Sequence, residues 1–492
     1  MLNQSDRAGD NVLIIGGGPA GLATALMLAK RGWTNVTVLE QRIASDYYEP
    51  DKSFNYLIDG RGQDLTDLLG LTEELSQISV PSTEFYLTQV KHDGSSKTSK
   101  LAVVDPNRKA AYWIPRSAFV SLLDNEIQRN WQGKITVLFN AKCIEIRQIA
   151  NTSDEVENLE AIAQINTKEI IKFSPQFLLG CDGIGSIVRS TLNEWDASNS
   201  DQFAMKLFPS PSTGLRYKVL TLPPQFPLDN NGKEHSISEM AYAIRSQIKD
   251  PKQKISLGLL PVKDLNQPRT ANIITQPGHG IWELKSSGEA YNFLETSFPQ
   301  LPIRQIISTE EIERFVTSTG GTFPAPQYCP QLYFLLKAAP EKLIGIALLG
   351  DAVHCFPPDI GQGVNSALQD VYLLNEALSQ TNDNIASALP LYQSLRSPDL
   401  EPLIRLAQTS FPWQYNQDQI GRFLWSINFF MRLALNRVLP FLYSAPSFFL
   451  LQNHQLSYRQ IWQKVQVTTR NLYLLLLLII CLLFAFGIKF YT

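Results

Sequence analysis

Three separated stretches of this sequence place glycines and carboxylates where a chain can hold a phosphorylated, sugar-bearing ligand. In the first, Gly16, Gly18 and Gly21 follow the apolar run Val12–Ile15 as GxGxxG, and Pro19–Arg31 reads as a helix. Gly16 permits a tight turn, Gly18 lets the backbone approach a pyrophosphate, and Gly21 lets helix and strand pack closely. The helix N-terminus then offers free N–H groups and the positive end of its dipole to the phosphates. Val36–Leu39 reads as a second strand ending in Glu40, about 20 residues on, where a carboxylate can hold the ribose hydroxyls of an adenosine. Alone, Glu40 would be a solvated strand-end acid; its register with strand, turn and helix outweighs that.

Such a cradle serves FAD and NAD alike, so the other two stretches decide. Phe177–Arg189 (FLLGCDGIGSIVR) reads as a buried strand, then Asp182-Gly183, then a helix carrying Ser186 and Arg189. Ile344–Asp370 (IGIALLGDAVHCFPPDIGQGVNSALQD) reads as a strand, Gly350-Asp351, a proline-bearing loop, and Gly361, Gly363 and Asn365 opening another helix. An acid at a strand's C-terminal end can bind a polyol, and a glycine-rich helix N-terminus suits an electron-rich ring that gains negative charge on reduction. Together the three stretches resemble the fingerprints of the para-hydroxybenzoate hydroxylase-type, class A flavoprotein monooxygenases, in that family's order. Within that superfamily the chain is similar to the kynurenine 3-monooxygenases, through Lys52–Gly62 (KSFNYLIDGRG), Tyr112–Arg116 (YWIPR), Gly361–Asn365 (GQGVN) and a membrane-seeking C-terminus.

The resemblance implies FAD as cofactor, NADPH or NADH as transient electron donor and O₂ as co-substrate, with a flavin C4a-hydroperoxide hydroxylating an aromatic, kynurenine-like ring. It also implies roles. Ala20 sits at the pyrophosphate turn, Glu40 with Arg42 at the adenosine ribose, and the Cys143 backbone at the adenine. Arg116 points at the flavin side and Asp351 at the ribityl chain, while Val364 and Asn365 donate backbone N–H groups to the pyrimidine edge. Asp182 supports the fold between the cofactor halves and faces the nicotinamide donor. Two departures touch the substrate. Val80–Tyr86 (VPSTEFY) has no arginine where the family grips a carboxylate, and Lys52 stands where an arginine is expected; losing a bidentate clamp is a substantial chemical change. Tyr443, in VLPFLY, matches a tyrosine that closes the substrate pocket and reads equally as an interfacial aromatic. The cofactor carries such chemistry, so no catalytic residue and no metal site is nominated. His354 invites assignment as a base, but its motif position favours a structural histidine packed under the flavin.

The elements that must position these residues fall into α/β architecture: a Rossmann-like FAD-binding domain, a second, antiparallel-sheet substrate domain, and a helical C-terminal region ending in a transmembrane helix. Texture sets the expected boundaries. Residues 11–192 alternate strands and helices, with sheet-domain insertions allowed for near 80–110. Residues 193–328 are mainly antiparallel sheet, 329–400 resume the first domain, 401–470 are helical, and 472–488 span a membrane. Gly421–Leu451 reads as a helix on a bilayer surface or as a lid over the substrate pocket. The net charge of -3 leaves no basic face for nucleic acid. Five cysteines without a CxxC pair argue against a disulfide framework or zinc site, and the polar stretch from Met1 to Asp10 is no signal peptide. Leu472–Ile488 carries no charge and follows Arg459, Lys464 and Arg470, with Lys489 beyond it. By the positive-inside rule it is a single-pass C-terminal anchor with the catalytic domain cytoplasmic. Two other classes stay open. One is a flavin epoxidase or reductase acting on a membrane terpenoid or other lipid ring. The other is a membrane-tethered flavoprotein binding module, which the intact glycines and acids of all three motifs disfavour.

Overall fold

The computed structural model describes residues 11–491 apart from 48, 50, 52–53, 85, 101–107, 151–155, 167, 197–200, 339–341 and 416–417, with side chains to 484. Lys52 thus lies outside the described residues. The central layer is a six-stranded sheet made of β1 (Val12–Ile15), β2 (Val36–Leu39), β3 (Ile135–Leu138), β4 (Phe177–Gly180), β5 (Tyr333–Ala338) and β6 (Lys342–Leu348). Its strand order is β5-β6-β4-β1-β2-β3, parallel except for the β5–β6 edge pair. All four residues of β1 and of β4 are buried, which is why these strands read as continuous apolar runs rather than alternations: both faces of a parallel sheet are covered.

The helices that cover it carry the three motifs. They are α1 (Pro19–Lys30), α2 (Gly60–Leu69), α3 (Arg116–Asn130), α4 (Ile187–Trp195), α5 (Gly363–Gln380) and α6 (Ile385–Thr409). The domain boundary expected at residue 400 falls inside α6, which continues through Pro390, Pro398 and Pro402. Each internal proline removes a helix hydrogen bond. The helix persists because both of its halves bury side chains in one core: Leu389, Tyr392 and Arg396 on one side of the expected boundary, Leu403, Ile404 and Leu406 on the other.

The second sheet has seven strands in the order Gly321–Thr322, Arg216–Leu222, Arg269–Thr275, Ser256–Leu259, Ala241–Arg245, Tyr86–Val90, Ser96–Lys100. Its outermost hairpin therefore comes from well upstream, and it joins through the one parallel pairing, Ala241–Ile244 on Leu87–Val90. Strict burial alternation along Arg269–Thr275 gives this sheet one core face and one open face. A separate core, including Leu220, Leu257, Ile273, Leu294 and Phe315, lies between it and the helices Ser287–Ser297 and Thr309–Thr317.

The chain finishes in α7 (Gln419–Val438) and α8 (Tyr458–Tyr491). The start of α8 belongs to the main core, with Tyr458 and Ile461 wholly buried. Its later residues are exposed, and Tyr458–Phe484, which contains an 18-residue stretch of mean hydropathy 2.1, is long and apolar enough to cross a membrane by length and composition.

The glycines of the first turn separate packing from ligand approach. Gly16 has φ +103, and a Cβ there would meet the Cys181 carbonyl oxygen at 2.3 Å; a Cβ on Gly21 would meet the Gly16 carbonyl oxygen at 1.8 Å. A Cβ on Gly18 would meet nothing within 4 Å. Gly21→Ala should therefore force β1 and α1 apart and destabilise the fold by about 1–3 kcal/mol or more. Gly18→Ala should leave the thermal unfolding midpoint near that of the wild type. Equal midpoints for the two variants would contradict this account.

Candidate functional site

The acid that ends β2 is held from two sides. Glu40 Oε2 accepts the Gly17 N–H at 2.7 Å, and Oε1 accepts the Arg42 N–H at 2.8 Å with the Arg42 guanidinium at 3.4 Å. The Glu40 and Arg42 carbonyls accept Ala141 N–H at 2.8 Å and Asn140 N–H at 2.7 Å. Cys143, buried two residues further on, thus stands on the strand that runs from Glu40. Burial, and then the Asp182 charge, push its thiol up to about 12, so it is a neutral packing group at physiological pH. Across the turn, Asp182 Oδ2 accepts Ile187 N–H at 2.7 Å and Val188 N–H at 3.3 Å, while its Oδ1 is buried without a partner. Burial holds this carboxyl above the usual range, against the hydrogen bonds that favour its charge.

Two helix N-termini face the same region without side-chain caps. In α1 the first intrahelical bond is Leu22 N–H to Gly18 O at 3.0 Å; in α5 it is Ser366 N–H to Gln362 O at 2.8 Å. The N–H groups of Ala20 and Gly21, and those of Gly363, Val364 and Asn365, precede those bonds, as the first turn of any helix requires. No acid occupies either first turn. Cβ atoms built on Gly361 (φ +62) and Gly363 would, like that on Gly18, meet nothing within 4 Å. The Asn365 side chain is fully buried and fixes α5 to the neighbouring strand, donating to Leu57 O at 2.8 Å and accepting Asp59 N–H at 3.0 Å.

Asp351 is exposed to the cleft but ringed by protein, which pushes its carboxyl above the usual range; His354 and Arg116 oppose that shift and Asp370 adds to it. Tyr56 lies within reach of the same charges: burial raises its phenol, Arg116 opposes the shift and Asp351 adds to it. Beside them a pocket is lined by Phe54, Asn55 and Arg116 on one side and by Val262, Pro268 and Thr270 of the sheet domain on the other. Tyr443 is buried away from these groups in the α7–α8 connection, where its carbonyl accepts Asn436 at 2.8 Å. The strand Val80–Ser82 has no arginine of its own, but Arg108 reaches it, donating to the Ser82 carbonyl and to Ser82 Oγ at 3.0 Å.

Beneath the Gly350-Asp351 turn lies a buried charge cluster. Asp370 Oδ2 accepts Gly350 N–H at 2.7 Å and sits 2.9 Å from His354 Nε2; Oδ1 accepts Arg396 Nε at 2.5 Å. A carboxylate only accepts, so chemistry assigns the imidazole proton to Nε2. His354 is wholly buried and engaged there, with no face on the cleft. Burial alone would raise Asp370; His354 and Arg396 outweigh it and hold the carboxyl below its ordinary value.

A second network ties the loop at residues 357–363 to the start of α8. Gln362 donates to Asp59 Oδ2 at 2.8 Å and accepts the Tyr458 hydroxyl at 2.8 Å. The Tyr458 ring lies under Arg61 at 4.8 Å and near Arg396 at 5.9 Å. Arg61 in turn donates to the carbonyls of Leu451, Asn453 and Leu456 at 2.6–2.9 Å. In the same loop, Asp359 accepts Ser212 Oγ at 2.9 Å while its other oxygen is buried without a partner; burial pushes this carboxyl up to about 7. Sequence reasoning missed Arg61, Asp59, Asp359, Arg396 and Tyr458. DGRG and PPDIGQG carry a faint signal as polar residues inside motif loops. Arg396 and Tyr458 carry none, because their partners are distant in sequence. Among the described residues no His/Cys/Asp/Glu group could hold a metal ion.

Comparison with known proteins follows this geometry. The family model described as "FAD binding domain" matches residues 10–209 and 345–404, together over half of the chain. The chain is 21% identical over 474 residues to kynurenine 3-monooxygenase of Sus scrofa, covering 95% of this chain and 90% of that protein. It is 24% identical to the Anopheles gambiae enzyme of the same name, covering 94% and 87%. Among solved structures, aklavinone-11 hydroxylase in complex with FAD and aklavinone aligns at TM-score 0.59 and 16% identity, covering 84% of this chain and 70% of that one. A tetracycline destructase aligns at 0.55 and 17%, covering 90% and 98%. At such identities the structural matches speak to fold alone.

The two buried acids should titrate with opposite signs. Asp370 is held below its ordinary 3.8, so its contribution to stability is present above that pH and lost as pH falls through its folded value. Asp370→Asn leaves Arg396 uncompensated and should cost about 3–5 kcal/mol at neutral pH, with the deficit shrinking under acid. Asp359 rises from 3.8 to about 7, so the wild type loses stability across that interval as pH increases. Asp359→Asn should therefore gain on the wild type between those pH values and level off above. Thermal unfolding across pH checks both; a pH-independent difference for either variant would contradict its assignment.

Proposed function

The chain belongs to the FAD-binding-domain family, and from that membership we propose that it is an FAD-dependent monooxygenase that inserts one oxygen atom from O₂ into an electron-rich, kynurenine-like aromatic ring, with NADPH or NADH as transient electron donor. What supports this reading is two uncapped helix N-termini with open glycines in front of them and carboxylates close by: Glu40 accepts the Gly17 N–H, and the turn before Asp351 lies against Ala20 of α1 and Ala367 of α5. Those groups fit an extended dinucleotide: phosphates at Gly18 and the α1 N-terminus, an adenosine ribose at Glu40 and Arg42, a sugar-like chain at Asp351. Glu40 still has lone pairs for hydroxyl donors after accepting from Gly17 and Arg42. FAD bound there would supply hydride acceptance and reactivity toward O₂, which no side chain possesses.

The chain's own residues bind, orient and exclude water. Gly363, Val364 and Asn365 present N–H groups to a pyrimidine edge, where the positive end of the α5 dipole favours the charge a ring acquires on reduction. Arg116 lines the neighbouring pocket, which Val262 and Pro268 of the sheet domain close. The curated relatives carry kynurenine in their names. Here Arg108 is the guanidinium at Ser82, and it is already engaged there, so a substrate carboxylate would be gripped differently. α8 is read as a single-pass anchor, with the body on the cytoplasmic side because Arg459, Lys464 and Arg470 precede the apolar run. Exposed apolar faces on α7 and α8 favour one second reading, an epoxidase or reductase acting on a membrane-dissolved lipid ring.

Asp351→Ala should remove one charge-assisted hydrogen bond to a sugar hydroxyl and weaken FAD binding about ten- to a hundredfold, the equivalent of about 1.5–3 kcal/mol, with secondary structure unchanged. Unaltered affinity would misplace the sugar site. Incubation with NADPH, O₂ and a panel of aromatic and prenyl compounds should give an aromatic product heavier by one oxygen atom, with NADPH oxidation coupled to it. Reduction or epoxidation of a prenyl substrate alone would select the second reading.

A further inference from the structure

Helix α7 is built inside out for a helix in water. None of its 20 residues is buried. The face turned toward the protein mixes aromatic and polar groups: Trp425 packs on Phe411 and Phe429 on Phe449, while Arg432 donates to Thr469 Oγ1 at 2.9 Å, Asn436 donates to the Tyr443 carbonyl, and the Trp425 indole donates to Thr409 O at 3.2 Å. The face turned away is apolar throughout, with Ile420, Phe423, Leu424, Ile427, Phe430 and Val438 each at least half exposed. A helix that leaves a continuous row of large apolar side chains unburied, flanked by exposed Arg422, Asn428 and Arg437, is complementary to a surface with an apolar layer and a polar edge.

Two observations say which surrounding. The first is level. Arg432 meets Thr469, Ser444 N–H donates to Thr468 Oγ1 at 2.9 Å, and Asn471 donates to Leu442 O at 2.8 Å. These contacts fix α7 and its C-terminal connection beside the last polar turn of α8, immediately before the uncharged run from Leu472. The exposed apolar surface of α7 is thus continuous with that of α8, where Tyr473, Leu474, Leu477 and Phe484 are exposed. With Arg422, Arg432 and Arg437 along its length, α7 is not itself a span. The second observation is charge. Arg245, at the end of a sheet-domain strand, is held below the usual arginine range by the protein around it and by the nearby Arg422 guanidinium. Neither guanidinium has a hydrogen-bonding or ion-pair partner among the described residues. Both are exposed, and Arg422 stands on α7 itself, so unpaired cations border the exposed apolar face and match an anionic headgroup layer.

We propose that α7 lies in the plane of a bilayer surface, its outer face in the acyl boundary and the Arg245–Arg422 pair on anionic lipid headgroups, a proposal that rests on reading α8 as the anchor. The body would then be held to the membrane by a span and a surface helix together, which fixes its orientation, as one span alone does not.

The test uses the full chain carrying Cys481→Ser, with Leu424→Cys or Leu477→Cys bearing a spin label, in vesicles of phosphatidylcholine with and without phosphatidylserine. Both labels should collide more with dissolved oxygen, which partitions into lipid, than with a water-soluble nickel chelate, and the label at 477 should lie deeper. Phosphatidylserine should increase immersion at 424 in the wild-type charge background, and Arg245→Gln with Arg422→Gln should abolish that increase. An aqueous signal at 424 beside a lipid signal at 477 overturns the proposal and leaves the anchor standing. Aqueous signals at both positions overturn both. Shielding of 424 from both reagents assigns the face to a protein partner instead, and insensitivity to phosphatidylserine overturns the headgroup contact.

Discussion

A single buried carboxylate holds the site in shape. Asp370 accepts from the Gly350 amide, from His354 and from Arg396, which ties the turn at the end of β6 to α5 and α6. Burying an acid and a guanidinium together is costly, and it is offset where hydrogen bonds satisfy the charged groups; here both carboxylate oxygens accept, and Arg396 also donates to Gln369 and Ser366. The same arginine lies near the Tyr458 ring, and the Tyr458 hydroxyl holds Gln362 at the N-terminus of α5. The turn that positions Asp351 and the helix that presents Gly363 to Asn365 are therefore set by one connected set of groups. The first turn of the chain's last helix belongs to that set.

Around this frame the cleft divides its work between open backbone and shifted charge. Gly21 and Gly16 permit close contact between strand and helix, whereas Gly18, Gly361 and Gly363 leave room in front of helix N-termini. Asp351 and Asp182 both sit above the ordinary carboxylate range because protein surrounds them. Such groups gain from hydroxyl donors brought by a ligand, since each new hydrogen bond to the charged form offsets the desolvation already incurred. The cleft is in this sense suited to a polar, hydroxyl-bearing molecule, while the pocket beside Arg116 is closed by Val262, Gln267, Pro268 and Thr270 of the sheet domain.

What the sequence made legible is local. The GxGxxG turn, its strand and helix, and the glycine–acid pairs at 182–183 and 350–351 are each contained within a few residues, and so are the forces that form them. The α/β class with a second sheet and an apolar C-terminal helix followed from periodicity and composition. Long-range pairing stayed hidden. Nothing near Arg396 announces that it will meet Asp370, and nothing in Ser457–Ile461 announces that Tyr458 will stack on Arg61. α6 crosses the boundary expected at residue 400 because burial on both sides of Pro398 outweighs the proline's local preference. Asp359 sits in a proline-bearing loop that carries no sign of burial; only the fold shows that one of its oxygens is buried without a partner.

The central claim is that the cleft is built for a flavin carrying an adenosine diphosphate half. The most direct measurement is the absorption spectrum of the purified full-length protein, with chromatography of whatever small molecule heat releases from it. The account predicts oxidised-flavin bands and FAD, in near-equal amount to the chain, because Gly18, Glu40 and the α1 N-terminus have no function toward a mononucleotide. A colourless protein that takes up no FAD on reconstitution, or one that releases FMN, would contradict it.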